Sequence, residues 1–166
     1  MKCTGVIRRI DELGRIVIPK EIRKSLAIRE GESLEIFIEN DRLIMTKYSK
    51  LDNYQDNIKD IINYISDSFN ININFYDRDK LVFKSNEDFG NIEFLKEFNN
   101  IIKDRKELIL NEISFSDKLY KIYCKPIIIS SDVIGILVIE IKDNLDEVIK
   151  IANFLSSIIT KKIDIS

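Results

Sequence analysis

The chain has 166 residues, of which 45% are hydrophobic and 33% are charged, a balance that allows a packed core and argues against global disorder. It contains no His, which excludes imidazole as a catalytic base or zinc ligand, and its two cysteines are too few for a thiolate metal site or a disulfide framework. Residues 1–20 hold no continuous apolar run, and no segment approaches the roughly 18 apolar residues of a membrane span, so we expect no signal peptide, no membrane partner and a cytoplasmic location.

Charge is distributed unevenly along the chain. Residues 1–50 carry 11 Lys and Arg against 8 Asp and Glu, a net charge of +3, whereas residues 51–166 carry 15 against 20, a net charge of −5. The first segment also holds six of the eight arginines, at positions 8, 9, 15, 23, 29 and 42. Because the planar guanidinium donates several hydrogen bonds to phosphates and to guanine edges, this enrichment indicates a nucleic-acid partner. The alternative from charge alone is a solvated face with ion pairs to nearby glutamates.

Five short elements are predicted in the first 48 residues. β-branched and alternating apolar residues predict four strands, over residues 4–10, 15–18, 34–39 and 42–48. A turn at 11–14 is predicted between the first two strands. Pro19 ends the second strand and suits the start of a helix over residues 20–27. On that helix Lys20, Arg23 and Lys24 fall within an arc of about 100°. The pair Asn40-Asp41 tolerates the left-handed conformation and predicts a two-residue hairpin turn.

This first segment is too small to be stable alone. Its strands nevertheless carry apolar residues that need a dry environment: Ile16, Ile18, Leu34, Ile36, Ile38, Leu43 and Met45. An obligate dimer that shares one core would bury them. Such a dimer would also double the basic surface, and affinity for phosphates grows with the number of charges that are neutralised.

The segment over 4–48, above all DELGRIVIPKEIRKSL followed by IREGESLEIFIE, resembles the AbrB-type DNA-binding domain of bacterial transition-state regulators. The resemblance implies a swapped-hairpin β-barrel, in which two chains interleave their hairpins and the dimer binds double-stranded DNA. It implies DNA contacts at Arg8, Arg15, Arg23 and Lys24, with Arg9 and Lys20 as outer phosphate contacts. Lys24 stands where the family often has arginine, and lysine keeps the charge without the planar fork.

Residues 51–166 are predicted to form a second domain, after a DNA-binding domain over 1–50. Apolar spacing predicts helices over 51–69, 91–104 and 144–163. Alternating residues predict strands over 71–76, 80–84, 107–115, 118–124, 126–130 and 133–141. Pro126 suits the start of its strand, and Ser131-Asp132 joins the last two strands. This order indicates an α+β sandwich with an antiparallel sheet.

The stretch KPIIISSDVIGILVIEIKDN over 125–144 resembles the closing strands of GAF-type sensor domains. The whole chain resembles two-domain sporulation regulators that join an AbrB-type head to a GAF-like tail. That resemblance implies a nucleoid-associated regulator of sporulation and late forespore genes. It also implies homodimers, and a tetramer formed through the helices over 51–69 and 144–163, with an unidentified small-molecule ligand for the tail.

No residue pattern indicates an enzyme, a metal or a cofactor. The aromatic residues of the second domain favour core filling over a ligand pocket: Phe75, Tyr76, Phe83, Phe89, Phe94, Tyr120 and Tyr123. Cys124 is expected to be a buried structural thiol, and Cys3 an incidental terminal cysteine. The acidic residues Asp77, Asp79, Glu87 and Asp88 lack the spacing of a calcium loop and indicate solvated turns.

An antitoxin is the alternative function, because swapped-hairpin heads also occur in proteins that neutralise a partner toxin. Antitoxin tails are typically short and disordered before they bind. Residues 51–166 are periodic and apolar enough to fold alone, which favours the transcriptional regulator.

Overall fold

The structure is a computed structural model that describes residues 5–49, 51, 53–78, 80–86, 89, 96–115 and 118–164. The chain divides into two compact units, Met1–Tyr48 and Ser49–Ser166, called here the first and second units. Five residues with predicted roles lie outside the described ones: Cys3, Asp79, Glu87, Asp88 and Phe94. Within the described residues, no helix has both the length and the apolar character that crossing a membrane requires.

The first unit contains one helix and one hairpin. Helix α1 spans Lys20–Ser25, and strands β1 (Leu34–Glu39) and β2 (Arg42–Lys47) pair antiparallel. Asn40 and Asp41 connect the strands with φ values of 46° and 60°, so both central residues of the turn are left-handed. This is the geometry of the tight hairpin turn whose twist matches that of the strands. The predicted two-residue turn is therefore confirmed.

Residues 5–10 and 15–18 do not form strands, which corrects the prediction of strands over 4–10 and 15–18. Among residues 5–19, the backbone hydrogen bonds are confined to the intervening turn, where the Asp11 N–H donates to the Arg15 carbonyl (3.1 Å) and the Gly14 N–H donates to the Asp11 carbonyl (3.0 Å). A strand exists only through hydrogen bonds to a neighbouring strand, and the single chain offers these segments none. Their β propensity is a local property that does not supply a partner.

Helix α1 ends two residues earlier than predicted. Ala27 adopts a left-handed φ of 50°. The Ile28 N–H donates to the Arg23 carbonyl (2.8 Å), and the Ala27 N–H donates to the Lys24 carbonyl (3.2 Å). These two bonds form a Schellman motif, which satisfies carbonyls at the end of the helix and reverses the chain.

As a single chain, the first unit has no hydrophobic core. None of residues 5–49 is fully buried. Large apolar side chains are exposed along the unit: Val6, Ile7, Ile10, Leu13, Ile16, Val17, Leu26, Ile36, Phe37, Ile38, Leu43, Met45 and Tyr48. Ile7 and Ile38 are 89% and 82% exposed. A folded unit of this size cannot leave such a surface in water without losing the main force that stabilises it.

The second unit is a five-stranded antiparallel sheet with helices on both faces. Its helices are α2 (Gln55–Phe69), α3 (Lys96–Asp104) and α4 (Leu145–Asp164). Its strands are β3 (Ile73–Tyr76), β4 (Leu81–Lys84), β5 (Leu108–Phe115), β6 (Lys118–Ile129) and β7 (Asp132–Glu140), in the spatial order β4-β3-β7-β6-β5. A mixed domain with an antiparallel sheet, as predicted, is confirmed.

Alternation along the strands builds a core on each face of the sheet. Phe75, Tyr123 and Leu137 pack with α2 and α4 on one face, while their neighbours Tyr76, Cys124 and Ile136 pack with α3 on the other. The prediction that aromatic residues fill the core is confirmed for the buried ones, which are Phe75, Tyr76, Phe89, Tyr120 and Tyr123. Phe83 is half-buried against the first of these cores.

Two details of the predicted strands are wrong. The strands over 118–124 and 126–130 are one continuous strand, β6, and Pro126 lies inside it opposite Ile136. The pairing of β5 with β6 ends at Leu108–Cys124, so the edge of β6 that faced β5 is unpaired beyond this point. Proline has no N–H to donate, and it is tolerated at Pro126 because no hydrogen bond to β5 is needed there. The turn between β6 and β7 is Ser130-Ser131, with φ values of 49° and 72°, one residue earlier than predicted.

Candidate nucleic-acid interface

The turn before α1 is organised by one carboxylate. Asp11 Oδ1 accepts hydrogen bonds from the backbone N–H groups of Leu13 (3.0 Å) and Arg15 (2.9 Å). Asp11 Oδ2 accepts a third from Nε of Arg15 (2.7 Å). Gly14 supplies the left-handed residue of the turn, with φ 75°. The side chain of Asp11 therefore fixes both the backbone of the turn and the guanidinium that leaves it.

The Arg15 side chain is bound at Nε and otherwise largely exposed. It is 71% exposed although Nε is paired with Asp11. The terminal amino groups of the guanidinium keep the remaining N–H donors for another partner. Hydrogen bonds from the Arg15 backbone, followed by those from its side chain, lower the pKa of Asp11, so the carboxylate stays ionised at neutral pH.

Helix α1 presents the other predicted cationic contacts. Lys20 and Lys24 are exposed, whereas Arg23 is half-buried. The Nε atom of Arg23 is fully buried and has no hydrogen-bond partner among the described residues. A buried N–H donor without an acceptor is destabilising, so Arg23 differs from its two exposed neighbours even though the helical arc groups all three.

Arg8 and Arg9 precede the turn, in a segment without regular structure, and both are exposed. In the part of the chain that the structure describes, Arg15 is the one predicted DNA contact that forms an ion pair. The structure thus joins Arg15 to Asp11, and places Lys20, Arg23 and Lys24 on one short helix. Sequence reasoning assigned Asp11 only to a turn. The Asp at the first turn position with Gly three residues later is the signal that indicates its structural role.

The second unit offers no comparable chemistry among its described residues. Burial raises the pKa of Cys124 to about 12, so its thiol stays protonated and unreactive, as predicted for a structural cysteine. No group of three or more potential metal ligands occurs in the described residues. A surface cleft of about 210 Å³ lies beside the start of α4. Several of its polar groups pair within the unit: Lys142 Nζ donates to the Asn70 carbonyl, Glu140 accepts from Asn72 Nδ2, and Asn144 caps α4.

The first unit matches known proteins closely. Residues 7–52 match the family model described as antidote-toxin recognition MazE, bacterial antitoxin. Transition state regulatory protein AbrB of Bacillus subtilis (strain 168) is 50% identical over 48 residues, which are 29% of this chain and 50% of that protein. The solution structure of the N-terminal DNA recognition domain of the Bacillus subtilis regulator AbrB is 49% identical, covers 30% of this chain and 92% of that one, and has a TM-score of 0.27.

A further relative covers both units. Stage V sporulation protein T of Bacillus subtilis (strain 168) is 34% identical over 154 residues, 86% of this chain and 86% of that protein. The chain belongs to the stage V sporulation protein T family. Membership in the stage V sporulation protein T family confirms the resemblance to two-domain sporulation regulators, and it extends over the second unit as well as the AbrB-like first unit.

Proposed function

We propose that this chain is a DNA-binding transcriptional regulator of sporulation that acts in the cytoplasm, in association with the nucleoid. The observation that carries the proposal is the relationship to stage V sporulation protein T along 86% of both chains. The basic charge of residues 1–50 and the exposed, anchored guanidinium of Arg15 support double-stranded DNA as the partner. The proposal includes no enzymatic activity and no cofactor.

The DNA-binding form is proposed to be a dimer in which two first units build one swapped-hairpin barrel. The exposed apolar side chains of the single first unit support this assembly, because a second copy would remove them from water. Strand partners from a second chain would also give residues 4–10 and 15–18 the ladder that the single chain does not provide. The dimer would carry twice the net charge of +3 on residues 1–50.

The proposed DNA contacts are Arg8, Arg15, Arg23 and Lys24, with Arg9 and Lys20 as outer phosphate contacts. Neutralisation of phosphates releases counterions and supplies most of the affinity. The shape and flexibility of the duplex add selectivity beyond direct contacts to bases.

The second unit is proposed to be GAF-like and to add a further contact between chains through α2 and α4, giving dimers or tetramers. Apolar side chains exposed on these helices support that contact, with Tyr64 at 73% and Phe154 at 55% exposure. A small-molecule ligand of this unit stays a prediction.

The DNA contacts are tested by the salt dependence of binding. Arg15→Ala and Arg23→Ala should each weaken binding about 10-fold or more. Arg23→Ala should also reduce the slope of log K against log salt by about 1 per phosphate contact, thus about 2 in a dimer. Affinity is measured by fluorescence anisotropy with a duplex recovered from genomic fragments that the intact chain enriches. Lys103→Ala removes one positive charge from an exposed site in the second unit and is the control. An unchanged slope in the Arg23→Ala variant would count against the assignment.

One observation favours the antitoxin alternative, namely the match of residues 7–52 to the MazE antitoxin family model. That match ends near the start of the second unit. The residues beyond it build a sheet with a core on each face, whereas an antitoxin tail of the expected kind is disordered until it binds its toxin. The regulator is therefore the better supported function.

A further inference from the structure

A negative charge lies inside the proposed DNA-binding surface. Asp11 is four residues from Arg15 and forms an ion pair with it. Near a duplex, a carboxylate repels phosphates and so weakens binding of any DNA sequence. Its presence beside a proposed contact therefore needs a compensating advantage.

The advantage lies in the geometry of the guanidinium. A free arginine side chain samples many rotamers, and binding must order it. The hydrogen bond from Arg15 Nε to Asp11 Oδ2 fixes one edge of the guanidinium plane. It leaves the terminal amino groups of the guanidinium to donate to DNA. Two parallel N–H groups on the tip of a fixed guanidinium match the O6 and N7 acceptors of guanine, whereas a phosphate accepts a cation in many orientations.

We propose that Asp11 is a positioning residue that orients Arg15 toward a base edge, so that Asp11 sets the selectivity of the chain for DNA sequence at the expense of general affinity. This inference rests on the proposed function as a DNA-binding regulator. It assigns Asp11 no contact of its own with DNA.

The two oxygens of Asp11 have separable tasks. Oδ1 accepts both backbone N–H groups of the turn, whereas Oδ2 accepts only the Arg15 side chain. The carbonyl oxygen of an asparagine can still accept the two backbone N–H groups of the turn. Its NH2 group, however, is a donor and cannot accept the hydrogen bond from Arg15 Nε. Asp11→Asn thus preserves the turn and releases the guanidinium. Arg15→Lys is the complementary change, because it keeps the positive charge and removes the planar fork.

The experiment compares two duplexes with the full-length chain. One duplex is taken from genomic fragments enriched by the intact chain, and the other has the same length and composition in scrambled order. Asp11→Asn should lower the ratio of the two affinities about 5- to 20-fold, with unchanged or tighter binding of the scrambled duplex. Arg15→Lys should lower the ratio similarly. Glu12→Gln removes an exposed neighbouring carboxylate and should leave the ratio unchanged.

A double-mutant cycle separates positioning from an effect on the fold. In an Arg15→Ala background, Asp11→Asn should no longer change the ratio, because no guanidinium remains to be oriented. An equal fall of the ratio in that background would overturn the inference, as would an equal rise in affinity for both duplexes in the parent background. Binding of neither duplex by the unchanged chain would instead overturn the proposed function itself.

Discussion

At the scale of single residues, Gly135 shows how closely β3 and β7 approach each other. A Cβ atom added to Gly135 would lie 2.6 Å from Cζ of Phe75 and 2.7 Å from the carbonyl oxygen of Tyr76. The phenyl ring belongs to the core beneath α2 and α4, and the carbonyl belongs to the neighbouring strand. Neither atom can move away without disturbing the packing or the sheet, so glycine is required here for space.

Gly135→Ala should therefore destabilise the second unit. We expect a loss of about 1–3 kcal/mol in the free energy of unfolding, the usual range for an extra methyl group forced into a packed core. Urea unfolding of the full-length chain, followed by circular dichroism, measures the change. Unaltered stability would contradict the close contact of Gly135 with Phe75 and Tyr76.

At the scale of secondary-structure elements, the backbone of Ala27 at the end of α1 is slightly strained. Ala27 occupies a left-handed conformation that glycine adopts without steric penalty. The Schellman bonds that hold it are made by backbone atoms of Ala27 and Ile28, so they do not depend on the alanine side chain.

Ala27→Gly should stabilise the first unit by about 0.5–1 kcal/mol, because it removes the Cβ clash of a left-handed alanine. Ser25→Gly, at the last residue of the same helix, should have the opposite sign, since glycine costs more backbone entropy in a helical conformation and the bond from Ser25 Oγ to the Ile22 carbonyl is lost. Thermal unfolding of both variants at equal chain concentration checks the pair. Two shifts in the same direction would contradict the assigned helix end.

The elements that could be predicted from the sequence are those determined by residues close to one another along the chain. The turn at Asn40-Asp41 and the helical periodicity of α2 and α4 depend on neighbouring residues only, and both were predicted correctly in kind. The strands over 4–10 and 15–18 depend on a ladder partner that no local pattern contains. Pro126 likewise lies inside β6 because β5 ends early, a fact about a different strand.

The candidate interface was only partly predictable for the same reason. Arginine enrichment located it within the first unit, and the resemblance to AbrB-type domains assigned the individual cations. Composition gives no sign that the carboxylate of Asp11 takes three N–H donors, because that depends on the folded turn. The half-burial of Arg23 is also a result of packing, which helical spacing alone does not determine.

At the scale of the whole molecule, the two units differ in self-sufficiency. The second unit contains a fully buried core on each face of its sheet, while the described residues of the first unit include none that is fully buried. Burial of apolar surface is the main stabilising term in folding, so only the second unit has what a single chain needs to stay folded.

Limited proteolysis should therefore yield a resistant fragment that corresponds to the second unit. Cleavage is expected near its first residue, Ser49, at the junction between the two units. Mass spectrometry of the digest identifies the fragment. Rapid loss of the carboxyl-terminal part would contradict the described core, and it would revive the antitoxin alternative, whose tail is unfolded without its toxin.

The missing core of the single first unit has a consequence for how the regulator responds to its own abundance. In the proposed assembly, two chains must dimerise before either can bind a duplex. At low abundance the concentration of the DNA-binding dimer therefore grows with the square of the chain concentration. A modest increase in synthesis then becomes a steeper increase in promoter occupancy. The sharpness of such a developmental response would originate in the apolar side chains that one copy leaves in water.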